Sequence, residues 1–289
     1  MSLRIGSHPN NLSLFILRQR GVLEAAISGV RWVDYLHGGD SAAMLTDRRL
    51  DVAGTGSTPP IYAQGNGLDV AYLAASPDRA ANCALLAMKE GARQSVRDLR
   101  GARIACMKGS FTDHFLARLL LRQQLTLGDV TLVDLNGSDA ARALREGRVD
   151  LWAAIDPWLT AARDAKKVRC LSQVGEVIRN RSLFWCRASW LSQHPQQATQ
   201  LLEVLSDNDR WIAENSLQAA RLLHQHLPGA LSESHWLATL RARPWGIQRV
   251  APALLAEQQQ QQQADDLLAA GFITQPLTIG VAAEYGVQA

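Results

Sequence analysis

The chain has 289 residues, 47% of them hydrophobic and 20% charged, and carries a net charge of +3 at pH 7. This composition is typical of a globular protein large enough to form two lobes. The small basic excess predicts no nucleic-acid partner, because such proteins usually carry a dense basic stripe. No apolar run approaches the ~20 residues of a membrane span. The four cysteines lack CxxC spacing, so we expect buried free thiols and predict neither a metal nor a cofactor.

Strands and helices alternate through the first two-thirds of the chain, and helices follow. This order predicts an α/β fold with mostly parallel sheets flanked by helices. The glutamine run 258–263 is predicted to form a solvated face of the last helix. In chain order we predict strand 3–6, helix 12–20, strand 30–36, helix 41–48, strands 51–54, 70–74, 84–88 and 104–107, helix 111–121, strand 130–135, helix 140–145, strands 151–155, 168–171 and 183–186, and helices 196–205, 209–226, 232–240 and 252–270.

A long-period repeat connects the two halves of this pattern. Residues 38–52 share Gly, Asp, Ala, Leu and Arg positions with residues 137–151, and 3–6 align with 102–105 at the same offset. Such a repeat predicts that one α/β unit is built twice. Two such units face to face would form a cleft between their strand-end turns.

Four turns follow predicted strands and are candidates for ligand contact, since ligands of open α/β sheets bind beyond the carboxyl ends of strands. Two of them open helices, whose N-terminal amides attract anions. Ser57, Thr58 and Ser110 could simply cap these helices, and Ser110 with Asp113 could form a capping box. Their matching positions in the two halves favour anion binding. The turns are 7–11, 55–60, 108–113 and 155–158.

The candidate ligand-binding residues lie in or near these turns and the repeat. His8 could contact the ligand, act as a base or only shape its turn, and Asp156 could cap a helix or receive an ammonium group. Phe111 could touch an organic tail, while Trp158 and Trp185 could line the pocket or belong to the core. No catalytic elbow, metal-spaced histidine pair or Walker lysine is present, so no catalytic residue is predicted. The candidates are His8, Asn10, Gly39, Ser57, Thr58, Gly109, Ser110, Phe111, Asp156, Trp158 and Trp185.

Three ordered segments carry a family resemblance that covers nearly the whole chain. They read DVAGTGSTPPIYAQG at 51–65, VRDLRGARIACMKGS at 96–110 and GRVDLWAAIDPW at 147–158. They resemble motifs of the substrate-binding proteins of ABC importers for aliphatic sulfonates, taurine and nitrate. The resemblance implies a type II periplasmic-binding-protein (Venus-flytrap) fold that closes on a small organic anion. It implies residues 1–83 and 187–289 as one lobe and 84–186 as the other.

The resemblance also implies site residues and partners. Ser7-His8, Phe111 and Ile155 depart from the family pattern, so we expect a larger or aromatic anion of the alkane- or aryl-sulfonate class. The expected partner is an ABC permease in the inner membrane, with the protein itself a monomer. The residues at binding positions of the motifs are Ser57, Thr58, Gly109, Ser110 and Asp156, with Trp185 where an aromatic often lines the pocket.

An enzyme is the alternative to a binding protein. Some relatives on this fold are cytoplasmic desulfinases that use a cysteine at the end of the first strand. Here that turn reads Ser7-His8-Pro9-Asn10, and Cys106 lies on the matching strand of the other half. We therefore expect no enzyme. We predict no signal peptide ahead of the first strand. The expected location is periplasmic or lipid-anchored if an export signal was removed, and cytoplasmic if Met1 is native.

Overall fold

The computed structural model describes residues 2–227, 229, 231–257 and 259–279. Its strands are β1 (Leu3–Ser7), β2 (Val30–Asp34), β3 (Val52–Thr55), β4 (Val70–Ala75), β5 (Cys83–Met88), β6 (Arg103–Cys106), β7 (Thr131–Asp134), β8 (Leu151–Ile155), β9 (Val168–Gln173), β10 (Leu183–Arg187) and β11 (Gln248–Arg249). They form a six-stranded sheet in the order β11-β4-β10-β3-β1-β2 and a five-stranded sheet in the order β7-β6-β8-β5-β9. We call the six-stranded sheet with the helices packed against it lobe 1, and the five-stranded sheet with the helices packed against it lobe 2.

Each sheet is mixed, with a parallel and an antiparallel part. Strands β2, β1 and β3 are parallel in lobe 1, as are β7, β6 and β8 in lobe 2. The strands added beside β3 and β8, namely β10 and β5, are antiparallel to them. Strands β5 and β10 each follow a segment in which the chain passes from one lobe to the other. Each of them runs in the direction opposite to the parallel strands of its sheet. The parallel parts follow the predicted alternation of strand and helix. The sheets as a whole are mixed rather than mostly parallel, because the strands beyond β3 and β8 pair in antiparallel fashion.

The helices cover both sheets and continue beyond β10. The predicted helix 12–20 is confirmed to the residue, and the helix predicted at 111–121 extends to Arg122. The helices are α1 (Leu12–Arg20), α2 (Val22–Ala26), α3 (Asp40–Thr46), α4 (Thr58–Gly65), α5 (Phe111–Arg122), α6 (Gly137–Arg145), α7 (Trp158–Asp164), α8 (Ala188–Gln193), α9 (Pro195–Glu214), α10 (Ser216–His226), α11 (Glu233–Ala242), α12 (Pro252–Glu257) and α13 (Gln260–Ala269).

The predicted break between helices 196–205 and 209–226 is wrong. Asn208 and Asp209 suggest a turn in the sequence, yet both are buried inside α9. The Asn208 amide donates to the Ser13 carbonyl at 3.1 Å, and the Asp209 carboxylate accepts from the Ser13 hydroxyl. Because these polar side chains find partners on α1, the helix continues to Glu214.

The predicted helix 252–270 is two helices, and the solvated glutamine face is wrong for two members of the run. Gln259 separates α12 from α13 with φ of 58°, a left-handed conformation. Gln260 and Gln263 are buried, because their amides find acceptors on α4 and the turn before it. Gln261 and Gln262 are exposed, and Gln258 lies outside the described residues.

The two lobes share an ion pair at equivalent positions, as the sequence repeat predicts. Arg4 Nη2 lies 2.7 Å from Asp51 Oδ1, and Arg103 Nη2 lies 2.9 Å from Asp150 Oδ1. In each pair the aspartate also accepts the arginine's own backbone N–H. The strand order β2-β1-β3 corresponds to β7-β6-β8. The same unit therefore occurs in both halves.

The cysteines divide into three buried and one exposed. Cys83, Cys106 and Cys186 are buried free thiols, as predicted. Cys170 is exposed, contrary to the prediction. It lies on β9, an edge strand of the lobe 2 sheet. Within the described ranges, no helix is both long and apolar enough to pass through a bilayer.

Two crossing segments join the lobes and lie side by side. The first, after β4, pairs with the second, before β10, through Ser76 N–H to Ser182 O at 2.9 Å and Arg79 N–H to Asn180 O at 2.8 Å. The carboxyl ends of the parallel strands of each lobe face the space beside these segments. This arrangement places a cleft between the lobes.

Candidate functional site

A small, partly open cavity lies in this cleft. Its volume is about 50 Å³, which gives room for about four water molecules. The turns after β1, β3, β6 and β8 contribute to its wall, as do the crossing segments. Of the candidates named from the sequence, those that line it are His8, Asn10, Ser110, Phe111 and Asp156.

The lobes touch each other around the cavity. The Asn10 amide lies 3.8 Å from the Met107 sulfur across the cleft. Gly39 and Gly109 also meet there, since a Cβ atom built on Gly109 would lie 3.7 Å from the Gly39 Cα. The two glycines do not line the cavity; they allow the two backbones to approach. The lobes are therefore closed.

His8 lines the cavity with a neutral ring. Its Nδ1 accepts the Asn10 backbone N–H at 3.0 Å, which assigns the proton to Nε2. Nε2 is buried and has no partner of acceptable geometry among the described residues. Burial lowers the pKa of His8 to about 4, although the nearby Leu36 carbonyl partly offsets the fall. The ring is thus uncharged at neutral pH and carries its single N–H on Nε2.

Two arginines that the sequence interpretation missed reach the same cavity, Arg79 from the first crossing segment and Arg243 from just after α11. Arg79 is buried and its guanidinium donates to Asn180 Oδ1 at 3.3 Å. Arg243 lies over the Trp245 ring, 5.0 Å from its centroid. The Nε atoms of both arginines are buried without a partner in the part of the chain that the structure describes.

Neither arginine forms an ion pair with any carboxylate within the described ranges. Burial lowers the pKa of both side chains, that of Arg79 most strongly. A guanidinium nevertheless remains charged at neutral pH. A buried charge is costly unless it is paired and hydrogen-bonded. The two groups together therefore favour an anion in the cavity.

Two carboxyl groups lie near Arg243 without pairing to it. Asp156 lines the cavity, and its Oδ1 accepts both the backbone N–H and the hydroxyl of Thr160, at 3.0 and 2.8 Å. Asp209 accepts the Gly246 N–H at 3.2 Å. Burial raises the pKa of both carboxyl groups, that of Asp209 to about 6. Asp156 thus stabilises the start of α7 and gives one side of the cavity an acidic group.

Ser110 caps α5 at the edge of the cavity, as one sequence interpretation predicts. Its hydroxyl accepts the Thr112 N–H at 3.2 Å and donates to the Met107 carbonyl at 2.7 Å. The capping box with Asp113 does not form. Asp113 Oδ2 instead accepts the Gly109 N–H at 2.9 Å and the Tyr62 hydroxyl at 2.8 Å. Tyr62 belongs to α4, so this carboxylate joins the two lobes.

Apolar side chains also line the cavity. They are those of Met107, Phe111 and Ile155 from the turns of lobe 2. Phe111 also lies against the lobe 1 turn, because a Cβ atom built on Gly56 would be 3.1 Å from the Phe111 Cβ. The cavity therefore offers both charged and apolar groups to a ligand.

Four other candidates lie outside the cavity wall. Ser57 and Thr58 are fully buried at the start of α4, and Thr58 Oγ1 accepts a hydrogen bond from Gln263. Trp185 is buried in the core of lobe 1 and donates its indole N–H to Thr55 Oγ1 at 2.9 Å. Trp158 packs at the start of α7 against helices of both lobes. Trp185 thus occupies a core position, whereas Trp158 is partly buried.

The two arginines have weak sequence signals. Arg79 follows the apolar strand β4 in the segment Ser76-Pro77-Asp78-Arg79, and Arg243 precedes Pro244. Neither belongs to a strand-end turn of the repeat. The one sequence signal for Arg79 is its position, because it is a charged residue between a buried strand and the predicted lobe boundary.

Comparison with known proteins assigns the family. Residues 30–219 match the family model described as NMT1/THI5 like.

The chain belongs to the NMT1/THI5-like family.

Relatives of this NMT1/THI5-like chain are named for binding sulfonates. A curated protein of Escherichia coli (strain K12), named for binding aliphatic sulfonates, is 27% identical over 224 residues, which span 77% of this chain and 70% of the relative. A protein of Bacillus subtilis (strain 168) with the same name is 26% identical over 249 residues, spanning 77% and 75%.

Solved structures confirm the fold. The periplasmic aliphatic sulphonate binding protein SsuA from Escherichia coli superposes with a TM-score of 0.84 at 26% identity, covering 96% of this chain and 89% of SsuA. The alkanesulfonate-binding protein SsuA from Xanthomonas axonopodis pv. citri, bound to MOPS, gives 0.85 at 26% identity, covering 96% and 95%. The desulfurization enzyme DszB gives 0.66 at 17% identity, covering 95% and 94%, a likeness of fold alone. The predicted two-lobe periplasmic-binding-protein fold is therefore confirmed.

Proposed function

We propose that this protein is the solute-binding component of an ABC importer and captures an organic sulfonate between its lobes. The main observation in support is that two guanidinium groups, those of Arg79 and Arg243, line the cavity and form no ion pair with a carboxylate in the described ranges. A sulfonate stays ionised at all ordinary pH values and offers several acceptor oxygens. It would accept from both arginines through charge-assisted bonds and from the neutral Nε2–H of His8.

The relatives support this function. Curated proteins named for aliphatic sulfonate binding and the two SsuA structures share the fold of this chain over most of its length. By the same likeness, we propose that the protein acts outside the inner membrane and delivers its ligand to a membrane permease. We also propose that it does so as a monomer.

The apolar side chains that line the cavity would receive the organic part of the ligand. Phe111, Met107 and Ile155 form an apolar surface in a cavity of about 50 Å³. This volume has room for about one small alkyl group. This size favours a short alkanesulfonate in the closed arrangement. The departures from the family pattern at His8, Phe111 and Ile155 favour a larger or aromatic tail, which would hold the lobes further apart.

The desulfinase alternative has less support from the cavity. A cysteine nucleophile must be accessible and its pKa lowered. None of the four cysteines lines the cavity. Burial raises the pKa of Cys83, Cys106 and Cys186. These facts favour a binding role.

A thermal-shift panel followed by calorimetry tests the proposal. Ethanesulfonate, benzenesulfonate and nitrate are compared at equal concentration. Saturation with a ligand at 100 times its dissociation constant stabilises a protein by about 2.7 kcal/mol. The proposal predicts a clear rise in melting temperature with at least one sulfonate and a smaller rise with nitrate, which lacks a tail. Ethanesulfonate ahead of benzenesulfonate supports the short-tail form and the reverse supports the aromatic form. No stabilisation by any sulfonate would reject the function.

A further inference from the structure

We propose that α13 is a clasp that holds the lobes closed, with Gln260 and Gln263 as positioning residues for the ligand-site turn of lobe 1. The closure itself follows from the contacts of this helix with both lobes. Its effect on sulfonate affinity rests on the proposed function.

On the lobe 1 side, the clasp is made of two buried amide side chains. Gln260 Nε2 donates to the Ser57 carbonyl at 2.8 Å and to the Tyr72 hydroxyl at 3.2 Å. Gln263 Nε2 donates to Thr58 Oγ1 at 2.6 Å. Both glutamines are at most 1% exposed. Ser57 directly follows Gly56, which lines the cavity, so these bonds fix the turn that forms part of the ligand site.

On the lobe 2 side, the clasp is held by charge. The buried Asp266 carboxylate lies 2.9 Å from His114 Nε2 and 3.0 Å from Arg118 Nη1, both on α5. The Leu127 N–H donates to the Ala270 carbonyl at 2.8 Å, just past the end of α13. Leu267 packs in one apolar cluster with residues of both lobes. Thus α13 is anchored to α5 at several points.

The chemistry of these contacts predicts which ones break when the lobes separate. Hydrogen bonds to an ionised carboxylate are stronger than those between neutral groups. Helix α13 therefore stays with lobe 2, and the glutamine bonds to Ser57 and Thr58 are lost. Gln259 provides the pivot, since its left-handed backbone separates α13 from α12. Leu255 of α12 packs in the core of lobe 1.

The test uses the full chain with Gln260→Ala and Gln263→Ala combined. Each lost bond shifts the closed-to-open ratio by about 2- to 12-fold. Because the apparent dissociation constant scales inversely with the competent fraction, we expect ethanesulfonate binding to weaken about 10-fold. The dissociation rate in stopped flow should rise by a similar factor. Small-angle scattering of the ligand-free variant should give a larger radius of gyration than the wild type.

Gln218→Ala is the matched control, because Gln218 is an exposed glutamine on a different helix, α10. Thr58→Val removes the hydroxyl that accepts the hydrogen bond from Gln263. Because both substitutions remove the same bond, the effect of Thr58→Val should not add to that of Gln263→Ala. Thr58→Val also replaces the double variant if that chain fails to fold. Unchanged affinity, dissociation rate and radius of gyration would overturn the clasp. If the wild type binds no sulfonate, only the proposed function is rejected. The clasp is then tested by the radius of gyration of the ligand-free double variant. A value larger than that of the wild type supports the clasp, and an equal value rejects it.

Discussion

Gly56 and Phe111 meet across the cleft with no room for another atom, since a Cβ atom built on Gly56 would lie 3.1 Å from Cβ and 3.2 Å from Cδ1 of Phe111. Such distances are well inside van der Waals contact. A side chain larger than hydrogen at this position would press against Phe111 in the closed state.

Gly56→Ala should weaken ligand binding by opposing closure. Overpacking of this kind costs about 1 kcal/mol or more, which corresponds to about 5-fold in affinity. Calorimetry measures the effect, and Gly56→Ala with Phe111→Leu should restore much of it. Gly128→Ala serves as control, because its nearest neighbour atom would lie at 3.7 Å. Affinity equal to the wild type would show that Phe111 moves aside freely.

Arg79→Gln and Arg243→Gln should each lower sulfonate affinity by about 10- to 100-fold, since a hydrogen bond between charged groups contributes about 1.5–3 kcal/mol. The ligand-free melting temperature should not fall, because each substitution removes a buried charge without an ion-pair partner among the described residues. Calorimetry and a thermal melt measure the two quantities. Arg97→Gln, at an exposed position, is the control. Sulfonate affinity equal to that of the wild type in both variants would contradict the arginine site.

His8→Gln should bind sulfonate within about 3-fold of the wild type, since its amide can still donate, whereas His8→Leu should bind about 10-fold more weakly. With a pKa of about 4, the wild-type ring stays neutral from pH 5.5 to 8. Its NMR ring signals should therefore not shift over that interval. Titration near the ordinary histidine pKa would contradict a buried neutral donor.

Asp113 should make the protein more stable as the pH falls through 6. Burial raises its folded-state pKa from 3.8 to about 6, so the folded chain binds the proton more tightly than the unfolded chain. The free energy of unfolding then decreases between about pH 4 and 6 as the pH rises, and the cost persists above that interval.

Asp113→Asn removes this dependence. Between pH 7.5 and 5 the wild type should gain about 1.4 kcal/mol more than the variant, measured by urea unfolding. His8 and Asp209 also titrate in a neighbouring range, but they contribute equally to both chains and cancel in the difference. The exposed Asp207→Asn is the control. Parallel pH profiles for wild type and Asp113→Asn would contradict the prediction.

Sequence reasoning located the turns better than the contacts. The alternation of strands and helices identifies the carboxyl ends where His8, Asn10, Ser110, Phe111 and Asp156 line the cavity. Local patterns suffice there because a strand, its turn and the next helix adjoin in sequence.

The remaining contacts depend on residues distant in the chain. Arg79 and Arg243 approach the cavity from parts of the chain 164 positions apart. The glutamine run reads as solvated because its acceptors, Ser57 and Thr58, lie about 200 residues earlier. Trp185 belongs to the core because Thr55 satisfies its indole N–H. Each outcome follows from a tertiary partner that no local pattern specifies.

The repeated ion pairs Arg4–Asp51 and Arg103–Asp150 lie at the amino ends of the parallel strands, on the side of each sheet opposite the cleft. Each lobe thus fastens its strands at one end and forms its part of the cavity at the other. A substitution at a strand-end turn leaves the far fastening intact. The two copies could therefore diverge at the cleft, one supplying His8 and the other Phe111, without either losing its framework.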